Sequence, residues 1–170
     1  SFLICLTETA SSNELSISMW MKPDELTGVY KVLVSRWVSD PAYLFYLCTS
    51  DCDNKLRWNV RTNAQYIVDY ALSNFQTGKW YHITGTTDSD SVDLYVDGVS
   101  VGTTSRTGTI AQDPTATLIG DSFNGTLDEV RIWNRSLSAS EIYNMYLTEV
   151  QNYSFTYVVG GTSSARTVNI

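Results

Sequence analysis

The stretch Phe123-Asn124-Gly125-Thr126-Leu127-Asp128-Glu129-Val130-Arg131-Ile132-Trp133-Asn134-Arg135-Ser136-Leu137-Ser138-Ala139-Ser140-Glu141-Ile142 decides how the chain is read. Leu127 to Trp133 is rich in β-branched and aromatic residues, so it reads as a strand. On a two-residue period, Asp128, Val130 and Ile132 share one face, and Glu129, Arg131 and Trp133 share the other. Asn134 to Leu137 reads as a turn. Ser138 then stands at the N-cap of a short helix running to Tyr146, with Glu141 as its reciprocal partner in a capping box.

Working outward, the same punctuation recurs. Leu15 to Lys22 alternates, with Leu15, Ile17, Met19 and Met21 on one face and Ser16, Ser18, Trp20 and Lys22 on the other. Phe2 to Leu6, Tyr30 to Trp37, Tyr43 to Cys48, Lys55 to Arg61 and Tyr66 to Tyr70 read as further strands. Val92, Leu94 and Val96 point inward, and Asp97-Gly98 is a two-residue hairpin turn that tolerates positive φ at both positions. Short strands with a turn signal roughly every ten residues predict a two-sheet sandwich. Beyond the helix, Tyr153 to Val159 and Ala165 to Ile170 read as two more strands around Gly160-Gly161. The expected organisation is a domain over residues 1–149 and an extension over 150–170, packed on the same sandwich or on a neighbouring subunit.

Nearly every position from Gly125 to Ile142 resembles the C-terminal signature of the laminin-G-like, concanavalin-A-like jelly-roll family, which also includes the pentraxins. Ile17 to Pro23, Trp80 to Thr84 and Leu94 to Gly98 resemble other strands of that family, so the resemblance runs from Leu15 to Tyr146. It implies an all-β, antiparallel two-sheet jelly-roll β-sandwich with one short helix in the C-terminal third. Such domains usually carry a strand ahead of the one equivalent to Phe2 to Leu6, and this chain begins too late for it. One fold hosts many functions, so the site must be argued separately.

Composition narrows the classes. The 170 residues suffice for one domain with a sizeable core. A net charge of −7 gives nothing for a phosphate backbone to bind, so nucleic acid is not an expected partner. No apolar run approaches the roughly 18 residues of a membrane span. No secretory leader is legible, so Ser1 reads as a mature or trimmed start. Cys48 and Cys52 flank a hairpin tip, either as a disulfide, which would favour an oxidising compartment, or as two surface thiols. Asn124, Asn134 and Asn152 each begin a glycosylation sequon, a pattern that permits an extracellular setting without demanding it.

Three kinds of chemistry are open to these residues. Jelly-roll glucanases resembling this fold place carboxylates at alternate positions of one strand, where they can flank a scissile bond. No strand here has that spacing, and His82, the only histidine, reads as a structural hydrogen-bonder, so no enzyme is expected. Asp128 shares its face with Val130 and Ile132, which read as core, and a carboxylate at the mouth of a core needs a partner. That partner is either a structural calcium, which the resemblance to related glucanases implies, or a set of backbone N–H groups. Finally, Lys55, Arg57, Asn59 and Arg61 lie opposite Leu56, Trp58 and Val60 on one strand. They form either a solvated face or, with Tyr46 and Tyr66, a candidate ligand surface.

The resulting expectation is a non-catalytic extracellular recognition or adhesion module that binds a carbohydrate or a cell-surface protein. The rival is a structural subunit of a cell-surface filament or sheath, assembled by strand addition through the N- and C-terminal strands.

Overall fold

The computed structural model describes residues 2–4, 13–28, 30–36, 43–48, 54–110, 117–152, 156–157 and 166–167, with backbone only at 2–4, 43–44, 47–48, 151–152, 156–157 and 166–167. Two antiparallel sheets face each other. One has six strands in the order β1-β10-β3-β4-β5-β6, and the other has five in the order β11-β2-β7-β8-β9. The strands of the first are Phe2–Ile4, Thr117–Ile119, Lys31–Arg36, Tyr43–Cys48, Lys55–Arg61 and Gln65–Ala71. Those of the second are Gly125–Trp133, Leu15–Pro23, Tyr81–Thr87, Ser91–Val96 and Val99–Ser105. This is the concanavalin-A-like jelly-roll sandwich that the signature implied.

The core lies between the sheets. Leu33, Val34, Phe45, Leu56, Trp58, Val60 and Val68 from the six-stranded sheet meet Ile17, Met19, Met21, Ile83, Val92 and Leu94 from the other. Trp58 is central. It is fully buried, its Nε1 donates to the Thr86 carbonyl at 3.1 Å, and its ring packs 5.2 Å from Phe45. Room for it comes from Gly85, where a Cβ would lie 2.5 Å from the indole. One end of the sandwich is closed by buried Arg106, which donates to the carbonyls of Asp88, Gly108 and Asn13. Asp97 and Gly98 both have positive φ, as the hairpin reading required.

Two departures from the expected pattern matter. First, β11 carries a bulge, and Glu129 and Val130 together oppose Met19. Glu129 adopts φ of 50°, and its N–H is held by Asp128 Oδ1 at 2.8 Å. The bulge resets the alternation, so Leu127, Val130 and Ile132 pack on the core while Asp128 pairs across from outward-facing Trp20. Asp128 is therefore exposed rather than at the mouth of the core.

Second, the helix α1 spans Ala139–Asn152, six residues beyond its predicted end and across the expected boundary at 149/150. The capping box is present: the Ser138 N–H donates to Glu141 Oε2 at 2.9 Å, and the Glu141 N–H donates to Ser138 Oγ at 3.3 Å. The helix continues because Met145, Tyr146 and Glu149 repeat the spacing begun by Ile142, giving a face to bury against a sheet. Of the C-terminal strands, only Thr156–Tyr157 (β12) and Arg166–Thr167 (β13) are described, and they pair with each other. The rest of that expected pair, Gly160-Gly161 included, lies outside the described residues.

Candidate functional site

A sandwich has two outer faces, and this chain treats them differently. On the five-stranded sheet the outward residues of β2 and β7 are Ser16, Ser18, Trp20, His82, Thr84 and Thr86, all of them buried. Helix α1 covers them, and the small serines let it come close. Ser16 Oγ donates to the Arg135 carbonyl at 2.8 Å and accepts from the Leu137 N–H at 2.9 Å, fixing the turn into the helix. Further along, Glu149 is the latch. Its Oε2 accepts from Trp20 Nε1 at 2.6 Å, and its Oε1 pairs with Arg131 of β11. Arg131 also holds Glu129 at 2.5 Å, so the bulge and the latch form one network.

His82 lies within this layer. Its ring is 5.3 Å from Trp20 and 6.1 Å from Tyr146, and its Nε2 is 3.7 Å from Glu149 Oε2, beyond hydrogen-bond range. Neither ring nitrogen has a hydrogen-bond partner. The expected side-chain hydrogen-bonder is thus an aromatic packing residue, and only its main chain is bonded, to Asp97. Burial drives its pKa down to about 4, opposed by Glu149 and helped by Arg131.

The outer face of the six-stranded sheet carries a different set. Leu56, Trp58 and Val60 are fully buried in the core, so Arg57 and Asn59 project to the other side with Lys55 and Arg61. Arg57 stands directly across from Asp69 on β6. Its Nε reaches Asp69 Oδ1 at 2.6 Å and its Nη2 reaches Oδ2 at 2.7 Å, a bidentate pair. Hydrogen bonding to Asp69 raises the Arg57 pKa above its ordinary range. On the other side Arg57 meets Tyr46, with Nη1 3.4 Å from the phenol oxygen and the guanidinium carbon 5.9 Å from the ring centroid. Burial raises the Tyr46 pKa, so its hydroxyl stays protonated.

Next in line is Tyr30, its ring 5.6 Å from Tyr46 and 43% exposed. Its φ of 49° is in the left-handed region, which an aromatic residue seldom adopts. The outer face thus presents an ion pair, Asp69 and Arg57, and the ring of Tyr30, joined by Tyr46, which at 4% exposure backs the row rather than lining it. Such a row can exchange hydrogen bonds with a polyol and offer an apolar plate to a ring.

Of the residues named from sequence, Arg57 and Tyr46 are brought together. Asn59 lies one row away, 4% exposed and with no hydrogen-bond partner for Oδ1, so it backs the site rather than lining it. Arg61 shares the face at the end of the strand. Tyr66 does not belong to the site. It pairs across from core-facing Val60, packs against the core, and places its hydroxyl 3.2 Å from Thr107 Oγ1. The reason is parity: on β6 the outward positions are Ile67 and Asp69, and Tyr66 is one residue off.

Two site residues were not anticipated. Asp69 was legible in principle, because a hairpin pairing Arg61 with Gln65 also pairs Arg57 with Asp69. Tyr30 had no such signal, since its position rests on a loop conformation. For Asp128, exposure removes the desolvation argument for a calcium partner, and among the described residues no group of three or more His, Cys, Asp or Glu converges. Asn124 and Asn134 are exposed. Cys52 and the side chains of Cys48 and Asn152 lie outside the described residues.

The fold defines a concanavalin A-like jelly-roll domain. A family model for the concanavalin A-like lectin/glucanases superfamily matches residues 4–143, and the chain belongs to that family. A search of the curated proteins finds no match. Among solved structures, domain 4 of AbnA, a GH43 extracellular arabinanase from Geobacillus stearothermophilus in complex with arabinotriose, is similar. It has 23% identity and a TM-score of 0.63, over 81% of this chain and 68% of that one. The botulinum neurotoxin serotype D binding domain aligns at 16% identity and TM-score 0.69, over 91% of this chain. This chain spans only 41% of that domain's length. A heptameric SAP-like pentraxin from Limulus polyphemus aligns at 16% identity and TM-score 0.60, over 79% of this chain and 70% of that one. No described helix is long and apolar enough to cross a membrane.

Proposed function

We propose that the chain is a non-catalytic binding module of an extracellular protein, and that it takes a glycan on the outer face of the six-stranded sheet. One observation carries the reading. Helix α1 buries the outward residues of β2 and β7 on the five-stranded sheet, whereas the six-stranded sheet carries the reachable groups Asp69, Arg57 and Tyr30, ordered by their contacts with each other and with buried Tyr46. The glycan reading is supported by the pairing of a bidentate ion pair with aromatic rings, and by the arabinotriose bound to the arabinanase domain of like fold. Binding to a glycan array tests it. Arg57→Ala removes the shared centre of the ion pair and the cation–π contact, and it should abolish the signal. Array binding that survives Arg57→Ala would place the ligand elsewhere.

A further inference from the structure

We infer that the ligand taken by this face is a neutral saccharide, and that Asp69 makes it so by holding the guanidinium of Arg57. The inference rests on the reading that the face binds glycan. An unpaired arginine on a sheet face would favour carboxylate-bearing sugars, because its fork matches a carboxylate bidentately. Here that fork is occupied. Nε and Nη2 of Arg57 are spent on the two oxygens of Asp69 at 2.6 and 2.7 Å, and Nη1 faces the Tyr46 hydroxyl at 3.4 Å. The pair is electrically neutral, and the chain around it carries a net charge of −7. An incoming carboxylate would have to displace Asp69 or lie beside it, and like charges at such range repel.

A hydroxyl group suffers no such penalty, since it both donates and accepts. The Arg57 and Asp69 side chains are 20% and 29% exposed, so their outer edges are reachable. Asp69 oxygens keep lone pairs for hydroxyl protons, and the outer N–H groups of Arg57 can donate to hydroxyl oxygens. Two adjacent hydroxyls on one ring satisfy both at once. Tyr30 then supplies the apolar plate. Its ring lies 5.6 Å from Tyr46 and the residue is 43% exposed, so it can meet the C–H side of a sugar. Asp69 acts as a selectivity residue: it sets the charge of the ligand by pairing with Arg57.

The test is an array of neutral oligosaccharides, each printed beside a carboxylate-bearing version, probed with the whole chain and with two variants. The intact protein should bind neutral members and ignore their acidic counterparts. Asp69→Asn, which frees Arg57, should create binding to the acidic members. Tyr30→Ala, an exposed substitution away from the core, should weaken neutral binding by about tenfold. Equal or tighter binding of the acidic members by the intact protein would overturn the inference while leaving the glycan reading intact. Failure of Asp69→Asn, folded by circular dichroism, to gain acidic ligands would overturn it as well. Binding to no member of the array would remove the glycan reading itself, and the inference with it.

Discussion

The layer between α1 and the five-stranded sheet should be an acid-sensitive part of this molecule, and His82 is the reason. The groups facing its ring are Glu149 and Tyr146 from α1, Arg131 from β11 and, through its main chain, Asp97 of the β8–β9 turn. Burial lowers its pKa from 6.5 to about 4. Folding thus disfavours the protonated ring. The contribution to stability is fully present above pH 6.5, falls as the pH drops towards 4, and stays lost below that. Over that interval, at about 1.4 kcal/mol per pH unit, the loss is about 3 kcal/mol. His82→Phe keeps an aromatic ring between Trp20 and Tyr146 and removes two buried nitrogens that lack partners. At pH 7.5 it should be as stable as the parent or slightly more so. Urea unfolding followed by tryptophan fluorescence at pH steps from 7.5 to 4 measures the comparison. Carboxylates titrate in both proteins, so the difference between the two curves isolates His82. It should widen by about 3 kcal/mol in favour of the variant. Parallel curves over the whole range would refute the account of His82 as a buried, unpartnered imidazole.

Two further outcomes follow from contacts in the fold. Gly85→Ala puts a Cβ 2.5 Å from the Trp58 indole, so it should destabilise by about 1–3 kcal/mol in chemical denaturation. Combining it with Trp58→Phe should cost less than the two single changes together, and strict additivity would show that the contact is not shared. Ser138→Ala removes the hydroxyl half of the capping box and should cost about 1 kcal/mol, read as a melting temperature lower by a few degrees. An unchanged melt would mean that α1 is held by its packing and the Glu149 latch alone.

Strand positions were legible because alternation and turn residues are local properties. Leu15 to Lys22, Lys55 to Arg61 and the Asp97-Gly98 turn all read correctly for that reason. The β11 bulge was not legible. One extra residue leaves the composition of a strand untouched while reversing every face beyond it, and this put Asp128 on the wrong side. The burial of Ser16 and Ser18 under α1 was not legible, because nothing within β2 announces a helix arriving from more than 100 positions later. The same contact explains the length of α1, whose last turns are held by Trp20 and Arg131 rather than by helix propensity. On the six-stranded sheet, the outward position of Arg57 was legible from strand parity. Tyr66 was misplaced because the β5–β6 register was not carried through to β6.

The seating of Trp58 against Gly85 has a consequence for the opposite side of its own strand. Arg57 and Asn59 flank a residue whose ring is seated on Gly85 and bonded to Thr86 of the facing sheet, so their main chain cannot slide or tilt without breaking those contacts. A glycan bound there as proposed would meet groups already arranged. Little ordering would then be left for the moment of association, so encounter and orientation, not rearrangement of β5, would set the speed of capture.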